Sequence, residues 1–419
     1  MTDGTTARAA SAIRREAPID VVAERGRTPG STSGHHFNAA GAALQTRETV
    51  DAVVAHLRLE ETEGGYEAAK RNRSLTELAY TNAALLLGAR PEEIALFDSA
   101  TTGMRQVLEA LRLTRGQKVI VSRSTYVSQA LQLLSLRDEN AIDLVILPNT
   151  ADGALDLGAL GRELAGTTDA VICVAHIPTS SGVIEPVQAV GRLAKTSGAL
   201  FILDATQSVG QVEVNVGLIG CDALVTTGRK FLRGPRGTGI AFVSATLLER
   251  LVPIAPDVRG SLWTGESEWV VDKTARMLES WEHSVAARLG LGVALGQALE
   301  RGMGPTTDYL TALAGELRTR LRQIHSVEVT DPPAALSAIV TFRVRGIADS
   351  VVCDYLKERN IHTISIPAAH AQWDLGARGM KSVVRASVHV YNDAADLDAL
   401  VSAVSALVDS VGTALGSRS

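Results

Sequence analysis

The chain is poor in cysteine, has no long apolar run and carries no strong excess of either charge. Its three cysteines, Cys173, Cys221 and Cys353, stand far apart, each inside an apolar pattern. An odd, scattered set builds neither a disulfide framework nor a metal cage, so they read as small buried hydrophobes and no metal is expected. The longest apolar stretches, such as Ala170 to Ala175 and Ala199 to Leu203, fall far short of the ~18 to 20 residues a membrane span needs. The first twenty residues hold Arg8, Arg14, Arg15 and Glu16 without an apolar segment. No secretory signal is therefore expected, and a cytoplasmic location is. Lys and Arg total 41 against 46 Asp and Glu, a net charge of −5, which is not the footprint of a nucleic-acid binder. No internal repeat is found at solenoid or propeller periods.

What is present is ordinary for a globular protein: 46% hydrophobic and 21% charged residues over a 419-residue chain. At ~150 residues per domain, that length allows two or three domains. Seven short apolar runs follow one another with helical patterns between them: Ile94–Phe97, Val119–Val121, Leu144–Leu147, Ala170–Ala175, Ala199–Leu203, Ala223–Val225 and Ile240–Val243. Continuous apolarity predicts strands covered on both faces, and interleaved helices predict parallel pairing through crossovers. Met104, Val107, Leu108 and Leu111 mark one such helix by their i, i+3, i+4, i+7 spacing. Beyond Gly292 come a long helical stretch to Leu321, a strand at Ala338–Phe342, helices over Ser350–Glu358 and around Leu397–Val408, and a run at Val383–Val390. The expected division is an N-terminal arm over 1–48, flexible or wrapped on the surface, a large α/β domain over 49–292 and a smaller α+β domain over 293–419.

Two neighbouring strand ends carry chemistry. Phe201-Ile-Leu-Asp204 ends an apolar strand in a carboxylate, and Leu224-Val-Thr-Thr227-Gly-Arg-Lys230 places a lysine just past the next one. A lysine amine with a carboxylate beside it is what pyridoxal phosphate chemistry requires: the amine forms a Schiff base, and the acid keeps the ring nitrogen protonated so the ring accepts electrons. Taken singly, Lys230 reads as a surface lysine among Arg229, Arg233 and Arg236, and Asp204 as a helix cap. The segment Leu96-Phe-Asp-Ser99-Ala100-Thr101-Thr-Gly103 runs from a strand into a helix. Such a turn offers free N–H groups to an anion, though it is also how a plain Ser/Thr cap looks.

From about Phe37 to Val390 the sequence resembles the class V aminotransferase family of fold-type-I pyridoxal phosphate enzymes. That group holds cysteine desulfurases, isopenicillin-epimerase-like proteins and ergothioneine-pathway lyases. The resemblance implies a seven-stranded, mostly parallel sheet flanked by helices, pyridoxal 5'-phosphate as cofactor, an amino acid substrate and a homodimer. It places Lys230, Asp204, Gln207 and Thr227 at family positions, with Gln207 on the ring hydroxyl and Ala100, Thr101 and Thr227 around the phosphate. Tyr126, in Ser122-Arg-Ser-Thr-Tyr126, takes the position over the ring, where desulfurases often have His. Thr179, in Val174-Ala-His176-Ile-Pro-Thr179, stands where desulfurases usually have Asn; His176 reads as structural in preference to a proton carrier. Arg385 corresponds to the arginine that grips the substrate α-carboxylate. His36-Phe-Asn38 resembles a substrate-contacting segment, and Glu63-Gly-Gly65-Tyr66-Glu67 resembles a loop of the lyase and epimerase branches whose Tyr reaches the substrate. One departure stands out: Glu282 occupies the place of a Thr that meets the partner subunit's phosphate, which leaves displacement of the loop, a contact from Ser284, or an Arg partner for Glu282.

Desulfurases need a thiol ahead of the carboxylate arginine, and Thr363 to Arg385 contains none. The Gly-Gly-Tyr loop, the stretch from Gly228 to Gly239 and the Trp281-Glu282 segment most resemble the sulfoxide lyases. The expected activity is a carbon–sulfur β-lyase acting on a cysteine S-conjugate or its sulfoxide, with Lys230 as general base and Tyr66 as acid for the leaving sulfur. A class V aminotransferase, an isopenicillin-epimerase-like enzyme and a non-catalytic cofactor-binding protein are the competing readings.

Overall fold

All seven apolar runs become strands of one sheet: β1 Ile94–Phe97, β2 Gln117–Val121, β3 Ile142–Ile146, β4 Val171–Ala175, β5 Leu200–Asp204, β6 Ala223–Thr227 and β7 Gly239–Val243. They lie in the order β1-β7-β6-β5-β4-β2-β3. In the computed structural model, which describes residues 18–139, 141–332 and 335–416, β7 pairs antiparallel with both β1 and β6, while the remaining pairs are parallel. Six strands thus point the same way. Successive side chains alternate between two cores: Ile172 and Val174 face one, Val171 and Cys173 the other. That double burial is why the runs are continuously apolar.

Helices cover the sheet. Ahead of it come α1 Arg47–Glu63, α2 Gly65–Arg71 and α3 Arg73–Leu87. Between the strands lie α4 Ala100–Ala110, α5 Val127–Asp138, α6 Leu157–Leu164 and α7 Val187–Ser197; after it come α8 Val285–Arg301 and α9 Met303–Arg322. Helix α4 buries Met104, Val107 and Leu108, and Ser99 caps it by accepting a bond from the Thr102 N–H. The division expected at 292/293 falls inside α8, whereas the helical backbone breaks at Gly302, whose φ is +80°.

The second sheet is antiparallel, with β8 Val327–Val329, β9 Ile339–Val344, β10 Ile364–Pro367 and β11 Ser382–Ser387 in the order β8-β9-β11-β10. Helices α10 Asp349–Lys357 and α11 Ala394–Gly416 accompany it. Sequence periodicity gave no sign of the antiparallel hairpin Ser261–Gly265 with Glu268–Val271.

Part of the N-terminal arm, residues 1–17, lies outside the described residues. From Pro18 on, the arm is wrapped and pinned. Its helix Val21–Gly26 is capped by Asp20; Arg25 donates to the Tyr391 carbonyl at 2.7 Å and to Asp396 at 2.9 Å; His35–His36 pairs in parallel with Ile361–His362. Among the described residues no helix is long and apolar enough to cross a membrane.

Candidate active site

Because six strands share a direction, their carboxyl ends gather along one edge, where ligands of open α/β sheets bind. Asp204 ends β5, Thr227 ends β6, Tyr126 follows β2 and Ala100 follows β1. A cavity of about 300 Å³ opens there, lined by Ala100, Thr101, Tyr126, Asp204, Thr227 and Lys230. Six residues read from the sequence are thus brought to one hollow.

Lys230 is only 6% exposed, and its Nζ lies 5.7 Å from the centre of the Tyr126 ring. Burial lowers its pKa from the usual lysine range to about 7; the cations of Arg229 and Arg385 add to this and Asp204 opposes it. Near neutral pH a substantial share of this amine is therefore unprotonated and nucleophilic. Asp204 stays hydrogen-bonded to the Thr206 N–H through Oδ1 at 3.0 Å.

Also lining the cavity, Ala100 and Thr101 are the first residues of α4, where helix geometry gives their N–H groups no intrahelical acceptor. Gly239 backs this turn so closely that a Cβ there would meet the backbone of Ser99 and Ala100. Thr227 sits beside it with its hydroxyl donating to the Thr238 carbonyl at 2.9 Å. Gln207 is buried and does not line the cavity; its Nε2 donates to the Ala40 carbonyl at 3.1 Å, while its Oε1 has no partner among the described residues.

Arg385, on β11, belongs to a second cluster. Its Nη1 reaches the Thr179 hydroxyl at 2.5 Å and the Thr179 carbonyl at 3.3 Å, and its Nη2 reaches Asn38 Oδ1 at 3.4 Å. Nε has no partner, and no carboxylate pairs with Arg385 among the described residues. Burial brings this guanidinium down to about 10, with Arg229 adding and Tyr126 opposing. It still carries its charge at neutral pH. A buried, unpaired cation is costly unless an anion completes it.

The residues present fit pyridoxal phosphate. Free N–H groups at a helix start suit the phosphate, Asp204 suits the ring nitrogen, the aromatic face of Tyr126 suits the ring and Lys230 suits the aldehyde. Thr179 instead meets Arg385 and does not line the cavity.

Tyr66 is not brought in. Gly64, with φ of +95°, breaks one helix and starts the next, so the Gly-Gly-Tyr segment is a helical corner and not a loop. Tyr66 stands on α2, 78% exposed and away from the cavity lining. Glu282 is exposed with no ion-pair partner among the described residues, and Ser284 caps α8. His176 is buried, its pKa lowered to about 4 by burial, and its Nδ1 has no hydrogen-bond partner among the described residues. The sequence reading missed Gln129 and Arg236, which also line the cavity; their only signal was proximity to Tyr126 and Lys230 along the chain.

Residues 35–400 match the family described as Aminotransferase class-V. The chain belongs to that family. This class V enzyme uses pyridoxal 5'-phosphate. It is 29% identical over 379 residues to a probable hercynylcysteine sulfoxide lyase of Mycobacterium tuberculosis, covering 89% of this chain and 90% of that one. It is 26% identical over 343 residues to a probable cysteine desulfurase of Methanothermobacter thermautotrophicus, covering 80% and 84%. Among solved structures, the apo cysteine desulfurase of Thermococcus onnurineus NA1 superimposes with a TM-score of 0.86 at 22% identity, covering 94% of this class V chain and 99% of that one. A cystine C–S lyase in complex with its product cysteine persulfide gives 0.81 at 18%, covering 90% and 99%. These structures share the fold of this class V enzyme.

Proposed function

We propose that this class V enzyme is a carbon–sulfur β-lyase that cleaves a cysteine S-conjugate or its sulfoxide to a thiol or sulfenate, pyruvate and ammonia. The observation that carries this reading is that Lys230 and Asp204 line one cavity, with the Arg385 cation close enough to act on Lys230, while none of the three cysteines lines it. Persulfide transfer requires a thiolate within reach. Cys173 and Cys221 are buried, their thiols pushed up to about 12 chiefly by burial. Cys353 lies on α10 with its thiol also raised by burial, and it does not line the cavity. The similarity to a hercynylcysteine sulfoxide lyase supports the same choice.

When bound, pyridoxal phosphate supplies an electron sink for the substrate Cα. The chain supplies the rest. Ala100 and Thr101 would hold the phosphate through backbone N–H groups, and Thr227 could add its hydroxyl on turning from Thr238. Asp204 would keep the ring nitrogen protonated, Gln207 would offer its free Oε1 to the ring hydroxyl and Tyr126 would give the ring an aromatic neighbour. Arg385, steadied by Thr179 and Asn38, grips the substrate carboxylate with its planar fork. Lys230, largely neutral above pH 7, takes the Cα proton. The C–S bond breaks with its electron pair leaving on sulfur, and water releases pyruvate and ammonia, so no oxidant or reductant is consumed. Tyr66, assigned to protonate the sulfur, stands clear of its own cavity; its role requires a homodimer in which it serves the other copy. The cytoplasm is the proposed location.

The test is to incubate the holoenzyme with a panel of cysteine S-conjugates and sulfoxides and to assay pyruvate, ammonia and the cofactor together. Pyruvate and ammonia in equal amounts with the cofactor unchanged are expected. Conversion of the cofactor to pyridoxamine phosphate without pyruvate would make it a transaminase.

A further inference from the structure

The lysine stands in a turn whose far end is in a conformation that ordinary residues avoid. Arg233, three residues after Lys230, has φ of +62°, a left-handed backbone that persists only where the surroundings impose it. Its N–H donates to the Lys230 carbonyl at 2.9 Å, and the Gly234 N–H donates to the Gly228 carbonyl at 2.7 Å, so the turn is closed around the lysine. Every other hold on Arg233 comes from elsewhere in the chain. Its Nη1 meets Glu24 at 2.6 Å, its Nε donates to the Leu44 carbonyl at 2.9 Å, its Nη2 meets the Thr28 hydroxyl, and the guanidinium lies 5.2 Å from the centre of the Tyr391 ring. Glu24 is itself buried and also faces Arg301 at 3.6 Å. A second fastening sits next to the lysine: His389 Nε2 lies 3.0 Å from the Phe231 carbonyl, with its ring stacked on Phe231.

We infer that Arg233 is a positioning residue for Lys230 and that Glu24 of the N-terminal arm holds it in place, so that the arm forms part of the active-site scaffold. A buried guanidinium with three hydrogen-bonding partners on residues 24 to 44 is far more than loop closure requires. It stabilises a left-handed residue that fixes where the lysine backbone lies. Lys230 must serve both the cofactor and the Cα proton, and a fixed backbone confines that movement to the side chain. Arg233 does not touch the cavity, so its effect passes through the turn.

This inference rests on Lys230 being the reactive lysine. The full-length apoprotein is treated with formaldehyde and a mild reductant across a pH series, and the initial methylation rate at Lys230 is read by peptide mass spectrometry. The charged and titratable groups facing Lys230 are Arg229, Arg385, Asp204 and Tyr126, and none is altered in the variants. The wild type is expected to titrate near 7. Glu24→Gln and Arg233→Ala are expected to move the midpoint up by a unit or more as water reaches the loosened turn. In the holoenzyme kcat is expected to fall at least tenfold with KM little changed. Folded variants with the wild-type midpoint and wild-type kcat would overturn the inference. Should Arg233→Ala fail to fold, Glu24→Gln decides alone, since it keeps the guanidinium with its Leu44 and Thr28 bonds. Borohydride fixing of the cofactor on wild-type Lys230 separates the two ideas: its absence removes the reading of the site, whereas its presence with unaltered variants removes only the inference.

Discussion

Arg385 and Thr179, 206 positions apart, meet at 2.5 Å between Nη1 and Oγ1, and no carboxylate neutralises the guanidinium among the described residues. A buried cation held by a neutral hydroxyl and amide is poised for an anion. Arg385→Gln is expected to lower kcat/KM for an amino acid substrate about 100-fold, the scale of a lost charge-assisted pair. Steady-state kinetics checks this, and an unchanged kcat/KM would place the carboxylate elsewhere.

Lys230 carries a stability consequence as well as a chemical one. Its folded pKa near 7 lies below the ordinary value of 10.5, so between those values the unfolded chain binds more protons and stability rises with pH. Below pH 7 the penalty of burying the charge is fully present. Lys230→Met is therefore expected to abolish the visible absorption of lysine-bound cofactor and all turnover. It is also expected to raise the melting temperature of the apoprotein at pH 6, with the gain shrinking towards pH 10. Thermal melts at several pH values check the sign.

Gly239 is predicted to be intolerant of a side chain, because a Cβ there meets the backbone of Ser99 and Ala100. Gly239→Ala is expected to push the start of α4 away and to weaken cofactor binding about tenfold or more. Equilibrium dialysis of pyridoxal phosphate against the apoprotein measures it; wild-type affinity would show that the phosphate lies away from this turn.

The thiols are expected to be spectators. Cys353→Ala should keep lyase turnover within about twofold, as substitutions away from a site usually do, and mass spectrometry during turnover should find no protein-bound persulfide. Loss of activity in that variant would return the protein to the desulfurases.

Much of the fold was legible because its signals are local. Seven apolar runs declared a covered sheet, and each became a strand, although the edge strand β3 is only partly buried. Asp204 ends β5 and Lys230 follows the end of β6, two successive strands that do pair, although chain order does not ensure it in a sheet where β3 and β4 stand apart. The Ser261–Gly265 hairpin left no such signal, since Trp263 and Trp269 point outwards and obey no burial pattern.

By itself, then, the sequence determined the layered α/β sheet and the lysine and carboxylate at its carboxyl edge, because burial and strand ends repeat at short range. Only the tertiary structure decided that Arg385 joins Thr179 and Asn38, that Tyr66 stays outside its own cavity, and that Glu24 reaches Arg233 from 209 positions away. Such contacts arise from how helices and sheets pack on one another, a sum of many small energies that no local periodicity encodes.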